Sequence, residues 1–209
     1  ANTGSFPGIL GEMYAAAFNI NGMLWQSCPA STELEMVTTN WLRQLLGLPK
    51  EQFGTIRDTA STSSFHALAA AREAQSDLKI RTEGSYGRKD LPMLRLYISD
   101  QAHNSIDKAA AMLGIGLSNI RRIPTDPSYG MIPEALERQI AADRAAGERP
   151  FCIVATLGTT SSTAIDPVAR IADLAEREKI WLHVDAAYGG SAAILPKVRT
   201  MFEGWERAD

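Results

Sequence analysis

The sequence has few of the residues on which metal-binding and disulfide-stabilised proteins depend. Only two of its 209 residues are cysteine, Cys28 and Cys152, and they lie in unrelated contexts. Clustered cysteine ligands with metal-binding spacing are therefore missing, and we expect no metal site. Two thiols in a chain of this size fit a reducing compartment, with a single disulfide as the alternative. We expect a cytoplasmic protein.

The sequence also lacks the charge and hydropathy patterns of nucleic-acid-binding and membrane proteins. Its 21 Lys and Arg residues are outnumbered by 24 Asp and Glu residues, which gives a net charge of -3, and there is no basic block. No apolar run approaches the ~20 residues that span a bilayer. The N-terminus shows no basic segment followed by an apolar one, as a signal peptide would. We expect binding to neither nucleic acid nor a membrane.

The residues that are present predict a single α/β domain. Apolar residues make up 45% of the chain, enough for one large core. Short apolar segments typical of strands alternate with segments of helical periodicity. The predicted strands are 52–56, 94–99, 120–123, 151–156 and 180–184, and the predicted helices are 32–47, 62–75, 105–113, 133–146 and 167–178. The segment 1–8 is expected to be a loop. This alternation predicts a mainly parallel sheet flanked by helices.

An acid and an imidazole follow two of the predicted strands. In parallel α/β sheets, ligands bind outside the carboxyl ends of the strands. Asp185 comes directly after a buried strand, where a carboxylate must be paired, solvated or protonated. It could bond a protonated ring nitrogen, or it could be a helix cap or turn residue. His103 follows the strand 94–99 and could stack on a planar cofactor or transfer a proton, or it could be an ordinary surface residue.

Two hydroxyl-rich segments follow other strands. The segment 58–64 (DTASTSS) precedes a helix, and free amides at a helix N-terminus form an anion site that suits a phosphate. Plain helix capping is the alternative use of these side chains. The segment 157–163 (LGTTSST) could hold a carboxylate or a cofactor oxygen, or it could be an ordinary connection. Together with the acid and the imidazole, these segments supply what a phosphorylated, planar, protonatable heterocycle requires.

Four long motifs in collinear order carry a resemblance to a known enzyme family. They are SCPASTELEMV at 27–37, SDQAHNSIDKA at 99–109, VATLGTTSSTAIDPV at 154–168 and WLHVDAAYGGS at 181–191. These motifs resemble those of the group II pyridoxal-phosphate-dependent decarboxylases, of the aromatic-L-amino-acid decarboxylase type. The resemblance implies a fold type I, transferase-like large domain with a mainly parallel sheet. It also implies pyridoxal 5'-phosphate as the cofactor.

The resemblance assigns two catalytic residues. Asp185 would pair with the pyridinium nitrogen and keep the ring protonated, so that the ring withdraws electrons from the bond that breaks. His103 would stack on the ring and lie near the substrate. We interpret both residues as catalytic and as cofactor-binding.

Four further residues are implied to bind the cofactor. Ala60 and Ser61 would hold the phosphate through backbone amides and the serine hydroxyl. Thr160 would lie near the cofactor or the substrate carboxylate, and Ala187 would pack against the ring. The stretch 58–59, just before this phosphate loop, is Asp-Thr where many relatives carry Gly or Ser.

The implied activity is decarboxylation of an L-amino acid, with an aromatic one favoured, to the amine and CO2. Relatives are homodimers with active sites at the interface. Their Schiff-base lysine follows an Asn-Pro-His sequence beyond the position that corresponds to 209. We therefore interpret residues 1–209 as a partial large domain, inactive alone, without the N-terminal segment, the Schiff-base lysine region and the small C-terminal domain.

Three alternatives to this activity remain open at the sequence level. One is an aldehyde synthase on the same scaffold, although His103 favours plain decarboxylation because the insect aldehyde synthases carry Asn there. Another is a glutamate-type decarboxylase, although LGTTSS and AAYGGS are more similar to the aromatic group. The last is a lysine-less binding or scaffold module without enzymatic activity.

Overall fold

The computed structural model describes residues 4–209, which form two compact units. The first unit ends at Ile56 and contains helices α1 (Phe6–Ala17) and α2 (Pro29–Leu46). No residue of either helix is buried. Among the described residues, no helix combines the length and hydropathy that crossing a bilayer requires.

The loop prediction for 1–8 is wrong for its last three residues, because α1 begins at Phe6. Positions 1–3 lie outside the described residues. The side chain of Ser5 caps the helix, since its Oγ accepts the N–H of Gly8 at 3.2 Å. A proline in the first turn is also compatible with helix initiation, because its missing N–H would have no intrahelical acceptor.

The predicted strand 52–56 is absent from the first unit. The polar groups of this segment donate hydrogen bonds to a side chain rather than to a neighbouring strand. The N–H of Ile56 and the hydroxyl of Thr55 both donate to the Glu35 carboxylate, at 2.6 and 2.9 Å. The segment is therefore held against α2 as a loop. Helix α2 itself confirms the prediction for 32–47, with its start three residues earlier.

The second unit, Arg57–Asp209, contains the sheet. Its strands are β1 (Leu94–Ser99), β2 (Ile120–Ile123), β3 (Arg149–Thr156) and β4 (Trp181–Asp185). Its α-helices are α3 (Ala60–Glu73), α4 (Ile80–Glu83), α5 (Ser105–Met112), α6 (Pro133–Ala145) and α7 (Val168–Glu178). The strand order is β2-β1-β3-β4 and every pair is parallel. The predicted parallel α/β architecture is confirmed. Four of the five predicted strands are present, and their observed ends lie within two residues of the predicted ends.

Helices cover both faces of this sheet. Leu96 and Ile98 of β1 belong to a buried cluster that also takes in residues of α3 and α5. Tyr97, between them, points to the opposite face, because successive strand residues alternate. There its hydroxyl donates to Asp143 of α6 at 2.8 Å. With both faces covered, a cofactor or substrate reaches the sheet only at the ends of its strands.

Candidate functional site

A cleft of about 210 Å³ lies at the carboxyl ends of β1, β3 and β4. Ten residues line it: Ala60, Ser61, His103, Ser105, Thr156, Gly158, Thr160, Asp185, Ala187 and Tyr188. All six residues that the sequence analysis assigned to the site are among them. The assignment of a chemical role to each stays a prediction. The structure adds four residues to the set, Ser105, Thr156, Gly158 and Tyr188, and the first three of them are buried.

The predicted anion-binding end of the cleft is the N-terminus of α3. Thr59 is the N-cap, and its Oγ1 accepts the N–H of Thr62 at 3.3 Å. The amides of Ala60 and Ser61 lie in the first helical turn, where N–H groups have no intrahelical acceptor and the helix dipole is positive. The pKa of Asp58, just before the cap, is lowered chiefly by a hydrogen bond from Thr62. The departure from Gly or Ser at this position therefore adds an ionised carboxylate at the edge of the anion site.

The imidazole of His103 is held by the first residue of α5. The backbone N–H of Ser105 donates to His103 Nδ1 at 3.2 Å, and the Ser105 hydroxyl lies 3.0 Å from the same atom. Because an amide N–H can only donate, Nδ1 is the acceptor, and a neutral ring carries its proton on Nε2. Ser105 is buried and was missed in the sequence analysis. Its position at a helix start, two residues after the histidine, is the signal that could have identified it.

The carboxylate of Asp185 stands at the end of β4. Its Oδ1 accepts the N–H of Ala187 at 3.1 Å, so the turn after the strand fixes the orientation of the carboxylate. Asp185 is in register with Thr156, the last residue of β3, and side chains in register project from the same face of a sheet. The acid and the threonine hydroxyl therefore lie side by side in the cleft.

The hydroxyl of Thr156 is buried and has no hydrogen-bond partner in the structure. Buried polar atoms are seldom left unpaired, because an unmade hydrogen bond costs about 1–3 kcal/mol. An unpaired hydroxyl in the wall of a cleft indicates a place for a polar ligand atom. With the anion-binding helix end, the imidazole and the acid, it fits a flat heterocycle that carries a phosphate.

The turn between β3 and α7 forms another wall. Thr159 braces it from inside, since its Oγ1 accepts the N–H of Ala164 at 3.0 Å and lies 2.7 Å from Ser162 Oγ. Thr159 is buried, whereas Thr160 is exposed and lines the cleft. The segment 157–163 was predicted to be either a ligand-binding turn or an ordinary connection, and the structure is compatible with both. Thr159 fixes the turn, whereas Thr160 is available to a ligand.

Two glycines set the distance between this turn and the segment after β4. Gly158 has a φ of +88°, and a Cβ built on it would lie 2.9 Å from the Cα of Gly189. A Cβ on Gly189 would lie only 2.5 Å from the carbonyl oxygen of Leu157. Real Cβ atoms do not approach other atoms so closely. The two backbones are therefore in direct contact beside Asp185.

Comparison with known proteins agrees with this geometry. The model of the pyridoxal-dependent decarboxylase conserved domain matches residues 1–209. Tyrosine/DOPA decarboxylase 5 from Papaver somniferum is 40% identical over 218 aligned positions, which cover 100% of this chain and 41% of that protein. Phenylacetaldehyde synthase from Arabidopsis thaliana is 42% identical over 214 positions, which cover 98% of this chain and 42% of that protein.

A solved structure shows the same fold. The crystal structure of Catharanthus roseus tryptophan decarboxylase in complex with L-tryptophan has a TM-score of 0.89 and 41% sequence identity, over 99% of this chain and 44% of that one. The fold type I architecture implied by the motifs is thereby confirmed. The chain spans about two-fifths of the length of these three relatives. On the match to its whole length and on this structural likeness, the chain belongs to the pyridoxal-dependent decarboxylase family.

Proposed function

We propose that this chain forms the cofactor-binding part of an enzyme that decarboxylates an aromatic L-amino acid to the amine and CO2. The observation that carries the proposal is the cleft in which Asp185 and the amino end of α3 lie among the same ten lining residues. Two of the three relatives support the substrate class, since they are named as decarboxylases of tyrosine, DOPA and tryptophan. The activity is proposed for the complete protein, because the chain covers only part of the length of those relatives.

The described residues fit pyridoxal 5'-phosphate. When bound, this group supplies an electron-withdrawing ring that accepts the electron pair of the breaking bond. In the proposal, the amides of Ala60 and Ser61 and the Ser61 hydroxyl hold the phosphate. Asp185 keeps a proton on the ring nitrogen, and Ala187 packs against the ring. The small Ala187 side chain matters because a larger one would fill the space for the ring.

His103 and Thr160 complete the proposed site from the substrate side. The His103 ring stacks on the cofactor, and its Nε2 carries the proton that can be offered to the substrate. Thr160, on the exposed part of its turn, contacts a cofactor oxygen or the substrate carboxylate. The bond from Ser105 to Nδ1 keeps the imidazole in one orientation while it does so.

A panel of amino acids tests the activity. With tyrosine, DOPA, tryptophan, phenylalanine and glutamate offered separately to the complete, cofactor-loaded protein, we expect aromatic substrates to give one amine per CO2. Amine is measured by chromatography and CO2 by a coupled assay. A clear preference for glutamate would contradict the aromatic assignment, and absence of turnover on every substrate would favour a binding or scaffold role.

The same assay separates decarboxylation from aldehyde synthesis. The second activity deserves the comparison because phenylacetaldehyde synthase is 42% identical over 98% of this chain. An aldehyde synthase consumes O2 and releases ammonia and hydrogen peroxide with the aldehyde and CO2. We expect no oxygen uptake above background. Stoichiometric peroxide and aldehyde would overturn the decarboxylase proposal in favour of this alternative.

The proposal extends to a cytoplasmic homodimer with the active site at the interface. The free thiols of Cys28 and Cys152 support a reducing compartment. Support for a partner surface comes from the first unit, where large apolar side chains such as Phe6 and Trp41 are 74% and 60% exposed. Light scattering of the complete protein and subcellular fractionation test the two parts. A monomer that retains full activity would contradict the proposed homodimer.

A further inference from the structure

We propose that Asp166 is a positioning residue, whose buried carboxylate closes the base of the turn that carries Thr160 and thereby fixes one wall of the cleft. The inference rests on the proposed function for the identity of the occupant, pyridoxal phosphate. The contacts that carry it lie entirely within the second unit. Asp166 does not line the cleft, so it acts through residues that do.

Asp166 joins the two ends of the turn by two hydrogen bonds. Its Oδ2 accepts the backbone N–H of Thr156 at 2.7 Å, and its own N–H donates to the Thr156 carbonyl at 3.0 Å. Between these residues, Leu157 and Ile165 form an antiparallel bridge. The carboxylate therefore determines where β3 ends and the turn begins. Thr156, with its unpaired hydroxyl, is the residue that it holds.

The second carboxylate oxygen of Asp166 anchors a different segment. Its Oδ1 accepts the backbone N–H of Met131 at 2.7 Å. Met131 is buried in the connection that follows β2 and forms a bridge with Thr125. The neighbouring Gly130 packs closely on the turn, since a Cβ there would lie 3.0 Å from the carbonyl oxygen of Ile165. Asp166 thus ties the turn to the β2 side of the sheet.

The environment of Asp166 makes this link sensitive to protonation. Only 1% of the residue is exposed, and burial is the main cause that raises its pKa to about 6. The two backbone N–H groups oppose this rise. The charged groups that face it are Asp100, on the loop after β1, and Asp126, on the loop after β2, and both raise the pKa further.

Protonation of Asp166 has two opposing effects on the turn. The ionised carboxylate accepts both amides, whereas the protonated group presents an O–H to one of them and loses that bond. That loss occurs as the pH falls through about 6, and it is outweighed by removal of the cost of burying a charge, since burial is the main cause of the raised pKa. Because the folded pKa lies above the ordinary value of 3.8, the folded state binds this proton more tightly than the unfolded chain does. This group therefore stabilises the fold fully at low pH, and that contribution is lost as the pH rises toward 6.

Asp166→Asn tests the proposal, because the amide keeps one acceptor oxygen and turns the other position into a donor. In the complete protein without cofactor, we expect amide hydrogen exchange at Thr156 and Met131 to rise about tenfold or more at pH 7.5, as one charged hydrogen bond is lost. Wild-type exchange, corrected for intrinsic rates, should fall as the pH is lowered through about 6, because opening that exposes the carboxyl is disfavoured once it is protonated. The variant should show little pH dependence. We also expect its dissociation constant for pyridoxal phosphate to rise about tenfold.

Asp126→Asn is the matched control. The exposed Asp126 also accepts two backbone N–H groups, from Ser128 and Gly130, but through Oδ1 alone, so an amide retains both bonds. We expect normal exchange at pH 7.5. The loss of a facing negative charge should shift the pH midpoint of exchange at Thr156 downward, which a purely structural effect would not do.

Three outcomes would overturn the proposal. One is unchanged exchange in Asp166→Asn, and another is a pH dependence that persists in that variant. If Asp166→Asn does not fold, the midpoint shift in Asp126→Asn decides, and its absence overturns the proposal. Exchange in the cofactor-free protein is independent of the cofactor. A failure to bind pyridoxal phosphate would therefore contradict the proposed function and leave the exchange result standing.

Discussion

Asp185→Ala should lower kcat of the complete protein by about 100-fold or more, the scale for losing a preorganised electrostatic partner. In the proposed site, the Asp185 carboxylate would hold a proton on the ring nitrogen of the bound cofactor, and the substitution removes it. The ring then withdraws electrons poorly from the bond that breaks. Initial rates with an aromatic amino acid at saturating concentration measure the effect, with cofactor occupancy determined in the same samples.

Two further variants make this result interpretable. Asp185→Asn keeps an oxygen that can accept the N–H of Ala187, now 3.1 Å from Oδ1, so it preserves the turn and removes only the charge. It should lose nearly as much rate as Asp185→Ala. Asp173→Asn changes an acid on α7 that is paired with Arg207, and it should leave kcat unchanged. Near-normal turnover in both Asp185 variants would refute the assigned role.

Gly189→Ala should abolish tight cofactor binding. The new Cβ would lie 2.5 Å from the Leu157 carbonyl oxygen and 3.2 Å from the Cα of Gly158. Both neighbours are backbone, so the turn and the segment after β4 must move apart. Overpacking of this kind costs about 1–3 kcal/mol, and here the displacement falls on the residues beside Asp185. Titration with pyridoxal phosphate, followed by absorbance, measures the loss.

The contact, rather than backbone freedom, is what this substitution tests. Gly189 has a φ of -89°, which alanine adopts without strain. Gly11→Ala is a suitable control, because Gly11 lies within α1 and a Cβ there would meet nothing within 4 Å. Alanine in that helix should raise stability slightly, by up to about 1 kcal/mol, and leave cofactor affinity unchanged. Equal cofactor affinity in both variants would show that the close approach of the two backbones is not required.

The residues at the strand ends were predictable because one geometric rule selects them. Ala60, His103, Thr160 and Asp185 each lie at or just beyond the end of a strand or at a helix start, and parallel strands bring such positions together. The prediction of a strand at 52–56 was wrong because the side chain of Glu35 in α2 accepts the hydrogen bonds that a neighbouring strand would accept. Local periodicity carries no information about that competition.

The supporting residues could not be found in this way. Asp166 precedes a proline, a pattern equally typical of an exposed turn, and only the packed structure shows that it is buried and holds two amides. In the sequence, Ser105 indicates only the start of a helix, and Gly189 is only one of two adjacent glycines. Their roles arise from contacts between segments distant in sequence, which no short window contains.

The parallel arrangement of the four strands has a consequence for biogenesis. The helix end, the imidazole, the braced turn and the acid come from four separate stretches of the polypeptide, and β4, which carries the acid, is the last of these four strands to be synthesised. A nascent chain that ends before β4 lacks the acid, one of the groups proposed to bind the cofactor. A ligand that binds only the finished assembly stabilises it in proportion to the logarithm of its concentration. The supply of pyridoxal phosphate would thus help determine how much of a weakened variant escapes degradation.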